Sequence, residues 1–385
     1  MGQTGRILIT GGAGFLGSIL TRTLLGEGRD VRVLDNLTWG PDPVRAFLSH
    51  PNYQFMRGDI RNSQDIEEAL DGIDAVIHLA ALVGDPLCAE KPEEARAVNF
   101  DATRTLIDAC RRKGIDRFIF ASTCSNYGIS DVSVPADEER ELNPVSLYAE
   151  TKIAAEQYLL DTSSGSFCPV LLRFGTAYGI SSRPRADLLV NSLVKDAIDD
   201  GLIVIFGPES WRPYSHANDL ARAMILAMDA PEDKVKNETF NIVVENFTKR
   251  DLAERISARM NVPVEYSQTK DDPRNYRVSG QKFIDRLGFE GSRAVDEALD
   301  EIIAAGEITN RIRIKKAKQI ALIVGTNPIK VTIKYRIHTT TVIDVNLLAG
   351  STHILLKISV NNIIENTIAI RIIDKGNTGN AVIGC

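Results

Sequence analysis

Short apolar runs alternate with longer segments of helical periodicity over the first part of this chain. The runs are mostly β-branched or aromatic and are bounded by polar residues, at 7–10, 31–35, 53–57, 75–80, 118–122 and 170–174. Between them, apolar residues recur at helical spacing, as at Ile19, Leu20, Leu24 and Leu25. Strands that are apolar on both faces and alternate with helices predict a parallel sheet covered by helices on two sides, the doubly wound α/β fold of the Rossmann type.

The elements are more mixed between residues 177 and 306. Helical spacing predicts helices at 187–199, 218–228, 249–260 and 294–305, and short apolar runs predict strands at 203–206 and 240–243. This pattern is typical of a small α/β lobe that closes over a ligand.

The last part of the chain has a different pattern and a different charge. Apolar and polar residues alternate at 329–337, 356–360 and 368–372, with turn signals at 327–328, 349–351, 361–362 and 376–379. Strict alternation is typical of antiparallel strands with one buried face, so an additional C-terminal all-β segment is predicted. From Thr309 onward the chain carries a formal net charge of +8, whereas the residues before it carry −14. Two segments of different character therefore join near residue 308.

Composition excludes several classes of protein. Of the 385 residues, 44% are hydrophobic and 25% are charged, which is typical of globular proteins rather than disordered ones. The acidic first part argues against a nucleic-acid partner. The five cysteines have no CxxC spacing, which favours a reducing compartment and disfavours a metal site. We see neither a signal segment nor an apolar run long enough to cross a membrane, so we expect a soluble cytoplasmic protein.

A glycine-rich turn follows the first predicted strand and opens the first predicted helix. Gly11, Gly14 and Gly17 have GxxGxxG spacing, which permits a tight turn and lets a pyrophosphate approach the free N–H groups of the helix. Asp35 ends the second strand, 18 residues after Gly17, where a carboxylate accepts hydrogen bonds from both adenosine ribose hydroxyls and repels a 2′-phosphate. The pattern predicts NAD as the cofactor. Asp59 is either a contact to the adenine edge or an ordinary turn aspartate.

Tyr148 and Lys152 lie four residues apart, on one face of a predicted helix. A free tyrosine titrates near ~10, too high for a base at neutral pH. We expect the lysine cation and the positive nicotinamide of bound NAD to stabilise the phenolate and lower the pKa of Tyr148. Thr123 follows a predicted strand, at the sheet edge where ligands collect, and its hydroxyl is suited to bind the oxygen being oxidised.

Together these residues resemble the extended short-chain dehydrogenase/reductase superfamily, and within it the NAD-dependent epimerase/dehydratase family that acts on nucleotide sugars. The matching positions are Gly11, Gly14, Gly17, Asp35, Gly58-Asp59, 78–81, Asn99, Ser122-Thr123, Tyr148, Lys152, 172–174 and 212–216. The resemblance covers about residues 5–306 and none of the segment that follows.

The resemblance implies a role for each matching residue. Thr123, 25 residues before Tyr148, has the family's spacing for its catalytic Ser or Thr. Asn99 and Lys152 would hold the cofactor and the site together. The other cofactor contacts implied are Phe15, Leu16, Asn36, Ile60, Leu79, Ala80 and Ala81. The implied assembly is a homodimer through residues 92–112 and 144–162.

Arginines are expected at the substrate diphosphate. The resemblance places Arg212 there and makes Arg274 a plausible second contact, since the planar guanidinium binds phosphate oxygens bidentately. A solvated charged loop is the alternative for Arg274. Asp85 and Thr176 complete the expected substrate contacts. Asp85 would bind a sugar hydroxyl, or else cap its loop.

Departures from the family pattern narrow the function. Cys124 and Ser125 stand where nucleotide-sugar 4,6-dehydratases carry an Asp-Glu pair, which disfavours dehydration. Cys124 is either an acid/base thiol or a small half-buried residue. Gly175 and Thr176 stand where 4-epimerases tend to place an asparagine that contacts phosphate, and Asp85 lies in a loop that is usually rich in serine.

The prediction is therefore an NAD-dependent nucleotide-sugar epimerase that inverts C4 through a transient 4-keto intermediate. The alternatives are an NAD(P)H-dependent nucleotide-4-keto-sugar reductase, a dehydratase, and a non-catalytic nucleotide-sensing scaffold. We expect an NAD-binding domain at 1–176 with a contribution from 217–243, a substrate lobe at 177–308, and a basic segment at 309–385. That last segment is either an assembly or polysaccharide-contact module or an addition with no catalytic part.

Overall fold

A computed structural model describes residues 5–267, 272–324, 330–336, 340–346, 367–374 and 377–384, with side chains up to residue 310. The chain divides into two compact units. The first comprises residues 1–197 and 201–303, and the second comprises residues 198–200 and 304–385.

Twelve strands are described in the first unit: β1 (Ile7–Thr10), β2 (Val31–Asp35), β3 (Tyr53–Arg57), β4 (Ala75–His78), β5 (Arg117–Thr123), β6 (Cys168–Phe174), β7 (Thr176–Tyr178), β8 (Ile203–Phe206), β9 (Trp211–His216), β10 (Glu238–Ile242), β11 (Glu245–Thr248) and β12 (Val264–Ser267). The helices described along the chain are α1 (Phe15–Gly26), α2 (Asp42–Arg45), α3 (Ser63–Ala69), α4 (Asp85–Glu90), α5 (Pro92–Arg96), α6 (Thr103–Lys113), α7 (Leu147–Thr162), α8 (Leu189–Asp200), α9 (Ala217–Asp229), α10 (Glu232–Val235), α11 (Lys249–Met260), α12 (Gln281–Leu287) and α13 (Val295–Val324). A π-helical turn spans Ala97–Ala102 and a 3-10 turn spans Cys124–Tyr127.

Seven parallel strands form the central sheet, in the order β10-β6-β5-β4-β1-β2-β3. Successive residues of β1 enter different cores: Ile7 and Ile9 pack with α1 and α9, while Leu8 packs with α3 and α6 on the other face. The predicted Rossmann-type fold is confirmed. The strand order reverses between β1 and β4, and ligands of such sheets bind beyond the carboxyl ends of the strands at that point.

Smaller sheets build the rest of the first unit. One contains β11, β9 and β7, and another pairs β12 with β8. Residues 217–243 supply α9 to the main core and β10 to the edge of the main sheet. The predicted strands, and the predicted helices that precede residue 261, begin and end within two residues of those in the structure.

The end of the chain differs from the prediction. Helix α13 continues past its predicted end at residue 305, as far as Val324. A single glycine inside a helix is tolerated, and after Gly306 no glycine or proline follows before Gly325. The antiparallel sheet begins only at β13 (Lys330–Arg336) and continues with β14 (Thr340–Asn346), β15 (Thr367–Asp374) and β16 (Asn377–Gly384), in the order β14-β13-β15-β16.

One turn predicted in this segment is wrong, and several other predicted features cannot be compared with the structure. Residues 377–379, predicted as part of a turn, begin β16. The strand predicted at 356–360 and the turn signals at 327–328, 349–351 and 361–362 lie outside the described residues.

Candidate functional site

The glycine-rich turn between β1 and α1 forms a cradle with no room for side chains. A Cβ at Gly17 would lie 2.3 Å from the Gly11 carbonyl oxygen, and a Cβ at Gly11, whose φ is +74°, would lie 2.7 Å from the Ala80 nitrogen. Gly14 is the N-cap residue of α1 and has no side chain to cap it, and the first turn of the helix holds no acidic residue. The N–H groups at this end of α1 are therefore available to an anion, and the turn fits a dinucleotide pyrophosphate.

Asp35 ends β2 beside this turn. Its two oxygens accept hydrogen bonds from Ala13 N at 3.0 Å and Leu37 N at 2.8 Å. Burial raises the pKa of Asp35, and the two N–H bonds oppose that shift. Each carboxylate oxygen has a second lone pair, so the group can orient the glycine turn and still accept from a ribose.

Asp59 is held by a partner that sequence reasoning missed. Arg61 donates to both Asp59 oxygens at 2.9 and 2.7 Å, and Asn36 donates to one of them at 3.1 Å. Hydrogen bonding from Arg61 keeps the pKa of Asp59 well below its usual range. An aspartate followed two residues later by an arginine was the available signal. The adenine contact proposed for Asp59 stays a prediction.

Asn99 joins the loop after β4 to the helix that carries Tyr148. It lies in the π-helical turn and is fully buried. Its side chain accepts from Leu82 N at 2.7 Å and donates to Leu82 O at 3.0 Å and to Thr151 Oγ1 at 3.3 Å. The implied cofactor residues Leu79, Ala80 and Ala81 precede Leu82 in this loop. Asn99 thus fixes this loop to α7, and the cofactor contacts expected in the loop stay predictions.

The remaining expected cofactor residues lie near these elements. Phe15 and Leu16 begin α1, with Phe15 in the core of the main sheet and Leu16 packed against it, and Ile60 is buried in the core on the other face. Their side chains therefore pack in the two cores of the main sheet. Any contact that they make with a cofactor stays a prediction.

Thr123 ends β5, in register with Phe174 of β6. It is nearly buried, and its hydroxyl oxygen accepts from Ser125 N at 3.1 Å, which starts the 3-10 turn. The hydroxyl hydrogen remains available for a substrate oxygen.

Tyr148 and Lys152 lie on α7, which Ser146 caps by accepting from Ala149 N at 3.3 Å. Lys152 is buried and donates to the Ala121 carbonyl on β5 at 2.9 Å. Burial lowers the pKa of Lys152 to about 8. The helix and the strand that carry the expected catalytic residues are therefore tied together directly.

The expected lowering of the Tyr148 pKa is not found among the protein's own groups. Burial of the phenol raises its pKa above the ordinary value, and the charges of Cys88 and Asp85 add to that shift. Arg185 acts in the opposite direction. The lysine is directed toward the Ala121 carbonyl, so its effect on the phenol is smaller than the four-residue spacing suggests.

A buried ion pair beneath the site was not foreseen. Glu156 accepts from Arg173 through Nε at 3.1 Å and through the terminal nitrogen at 2.7 Å, and from Asn126 at 2.9 Å. Ser122, adjacent to Thr123, also donates to Glu156. The side chains of Arg173 and Glu156 are 7% and 5% exposed. Glu156 follows Lys152 by one helical turn, but its partner lies on β6, far away in sequence.

Cys124 and Ser125, which stand where dehydratases carry two acids, have contacts that do not suit acid/base chemistry. Cys124 is 1% exposed and donates to the Arg173 carbonyl at 3.3 Å, and burial raises the pKa of its thiol. Ser125 lies 3.4 Å from a guanidinium nitrogen of Arg274. The structure thus favours the small buried residue over the acid/base thiol at Cys124.

The expected diphosphate arginines share one carboxylate. Asp272 lies 2.8 Å from Arg212 and 2.7 Å from Arg274. Burial acts to raise the pKa of Asp272, but the two cations hold it well below its usual range. Asp85, expected at a sugar hydroxyl, instead lies 2.6 Å from Arg274 through one oxygen, while its other oxygen is buried without a partner. Arg274 is therefore part of a charge network and not of a solvated loop.

Thr176 is half-buried at the start of β7, in register with Tyr214 of β9.

Among the described residues, no helix is long and apolar enough to cross a membrane. Within the same residues, no cluster of His, Cys, Asp and Glu has the arrangement of a metal site.

Comparison with known proteins identifies close structural and sequence relatives. The chain is 28% identical over 321 residues to the UDP-glucose 4-epimerase of Lactobacillus helveticus, which takes in 78% of this chain and 95% of that protein. The UDP-glucuronic acid 4-epimerase of Bacillus cereus, solved with UDP-glucuronic acid and NAD, superposes with a TM-score of 0.72 at 25% identity, over 79% of this chain and 99% of the other. The UDP-glucose 4-epimerase of Thermotoga maritima, solved with UDP-glucose, gives a TM-score of 0.71 at 27% identity, over the same shares.

The share of this chain that the relatives cover equals the share that the sequence motifs span. Nearly the whole of each relative corresponds to about four-fifths of this chain, which is the share taken by residues 5–306. The model of the NAD dependent epimerase/dehydratase family matches residues 7–243, which contain the glycine turn, Thr123, Tyr148 and Lys152. This chain belongs to the NAD dependent epimerase/dehydratase family.

Proposed function

We propose that this protein is an NAD-dependent nucleotide-sugar epimerase that inverts C4 of the sugar. The observation that carries the proposal is the bond from Lys152, on the helix of Tyr148, to the strand that ends at Thr123, together with a buried thiol at Cys124. The first three residues could move the proton of a sugar hydroxyl while bound NAD would accept and return the hydride of its carbon. The thiol leaves the position after Thr123 without the carboxylic acid that a dehydratase uses.

The cofactor site is proposed to use the residues already described. The glycine turn takes the pyrophosphate, Asp35 takes the adenosine ribose, and Lys152 holds the nicotinamide end. Bound NAD supplies a hydride acceptor for the first half-reaction and a hydride donor for the second, so no external reductant is consumed.

Tyr148 is the proposed acid and base. As a base it accepts the proton of the C4 hydroxyl, while Thr123 donates a hydrogen bond to the same oxygen. As an acid it returns the proton when the opposite face of the carbon is reduced. Because burial raises the phenol's pKa, the phenolate requires added positive charge, which the nicotinamide of bound NAD would supply together with a smaller contribution from Lys152.

Arg212 and Arg274 are proposed to bind the diphosphate of the substrate. Asp272 neutralises part of their charge, so a diphosphate would meet arginines that are already oriented by a carboxylate. The unpartnered oxygen of Asp85 is suited to accept from a sugar hydroxyl. Thr176 is proposed at the same sugar.

The test is turnover of a panel of UDP- and dTDP-hexoses by the purified protein with NAD, followed by NMR. We expect inversion at C4 without net formation of NADH. In a parallel assay with NADH and a nucleotide-4-keto-sugar, stoichiometric consumption of NADH would indicate a reductase. A 4-keto-6-deoxy product would indicate a dehydratase, and binding without turnover would indicate a nucleotide-sensing scaffold. Inversion that survives Tyr148→Phe would contradict the role of Tyr148.

We further infer a cytoplasmic homodimer. The π-helical turn and α6 pack against α7, and Tyr158 donates to Asp108 at 2.8 Å between the two helices. They therefore present one continuous surface, which a two-fold interface requires. Light scattering during size-exclusion chromatography measures the assembly. A monomer at micromolar concentration would contradict the inference.

The segment from residue 309 onward is proposed to have no catalytic part, since the site residues lie before it. Removal of residues 325–385 should leave turnover unchanged. Loss of assembly without loss of turnover would favour the assembly module.

A further inference from the structure

The segment between β7 and α8, which belongs to the predicted substrate lobe, contacts the first turn of α1. Ser181 donates to the Phe15 carbonyl at 2.9 Å and lies 2.9 Å from the Ser18 hydroxyl, both in the first turn of α1. Arg183 N donates back to Ser181 Oγ at 3.2 Å, which fixes the start of the next turn. These contacts place residues 181–183 at the anion-binding end of α1.

A second contact fixes where the Arg183 side chain goes. Its guanidinium carbon lies 4.3 Å from the centre of the Trp39 ring. Trp39 follows Asp35 by four residues, in a turn where Leu37 has φ of +61° and donates to Asp35 at 2.8 Å. The backbone of this segment thus lies at the first turn of α1, and the Arg183 guanidinium lies on the loop that follows Asp35.

The charge of Arg183 is not neutralised by a carboxylate. Its neighbour Arg185 pairs with Asp187 at 2.5 Å, whereas no carboxylate oxygen of the described side chains lies within 4.0 Å of Arg183. Burial, with a smaller contribution from Arg185, lowers the pKa of Arg183 to about 10, so it remains a cation at neutral pH. A half-buried guanidinium without a carboxylate favours an anionic partner.

We infer that Arg183, stacked on Trp39, closes over the pyrophosphate of NAD from the substrate side and slows its release. The inference rests on NAD binding as proposed above. The pyrophosphate is the anionic part of the cofactor that lies between the α1 terminus and the ribose aspartate. The glycine turn would hold it from one side and the guanidinium from the other. Slow release of NAD suits an epimerase, because each turnover returns the cofactor to its oxidised state and no exchange is needed.

Arg250 offers a matched control. It also lies 4.3 Å over an aromatic ring, that of Tyr266, but it pairs with Glu209 in another part of the first unit. Arg183→Ala and Arg250→Ala each remove one arginine–aromatic stack, and Arg183→Gln keeps most of the stem should the alanine variant fold poorly. The thermal midpoint of each variant reports the structural cost.

The measurement is the release rate of NADH from the full chain, followed by fluorescence during a chase with excess NAD. A charge-assisted hydrogen bond to phosphate predicts release about tenfold to a hundredfold faster in Arg183→Ala and Arg183→Gln, and little change in Arg250→Ala. Titration calorimetry should show weaker binding of ADP-ribose and unchanged binding of adenosine, since adenosine lacks the pyrophosphate.

Other results would overturn the inference. Unchanged release from both Arg183 variants, with weaker binding of UDP, would assign the arginine to the substrate. Equal losses for adenosine and ADP-ribose would mean that Arg183 acts through the Asp35 loop. A wild-type chain that binds no NAD would overturn the proposed function as well, which separates the two failures.

Discussion

Replacement of Glu156 by glutamine tests how much the buried ion pair beneath the site contributes. Both oxygens of Glu156 accept bonds from Arg173, and one of them also accepts from Ser122 and Asn126. A glutamine keeps one acceptor and directs an NH2 group at donors. It also leaves a guanidinium that is 7% exposed without its counter-ion.

The size of the effect follows from that burial. Removal of one partner from a buried pair typically costs about 3–5 kcal/mol of unfolding free energy. Catalysis should suffer as well, because Glu156 fixes Ser122 beside Thr123 and lies one turn from Lys152. We therefore expect a lower thermal midpoint together with a lower kcat.

Chemical denaturation and steady-state turnover measure both effects. Glu150→Gln, on the exposed side of the same helix, is the control and should cost less than about 1 kcal/mol. The double variant Glu156→Gln/Arg173→Met removes both charges and should recover part of the loss of the single variant. A single variant as stable as the control, or a double variant that loses the sum of the two single effects, would refute this reasoning.

Three further predictions address the cofactor and the charges of the site. Gly17→Ala should abolish measurable NAD binding in calorimetry, because its Cβ would lie 2.3 Å from the Gly11 carbonyl oxygen; near-normal affinity would contradict the described turn. Turnover should fall as pH rises through about 8, where buried Lys152 loses its proton, and an alkaline limb near the ordinary lysine pKa would argue against that burial effect. Asp85→Asn should tighten binding of UDP by about threefold to tenfold, since Arg274 loses a competing anion 2.6 Å away; weaker binding would show that Asp85 supports the arginine instead.

Sequence patterns predicted most of the first unit because its information is local. The strands are short apolar runs such as Ile7–Thr10, and the glycine turn and the Tyr148–Lys152 pair each lie within a few consecutive residues. Partners distant in sequence were not predictable. Glu156 finds Arg173 on β6, and no local pattern indicates which strand lies beside α7.

The sequence also did not indicate which charged side chains are already paired in the folded protein. An arginine suggests a phosphate whether or not a carboxylate already lies beside it, so the role of Asp272 emerged only from the fold. The end of α13 was also misplaced. The predicted helix ends at residue 305, just before Gly306, but a single glycine does not end a helix when the residues after it continue the helical pattern.

The π-helical turn at Ala97–Ala102 has a consequence for how this site tolerates change along its sequence. A widened turn accommodates one residue more than an α-helical turn would, and it sets the direction in which the Asn99 amide leaves the helix. Deletion of Val98 would tighten the turn and rotate the side chains on one side of it by about 100°, separating the amide from Leu82 or from Thr151. The spacing of residues in this helix is therefore under stronger constraint than their identity, and a one-residue deletion should damage the site more than most substitutions there.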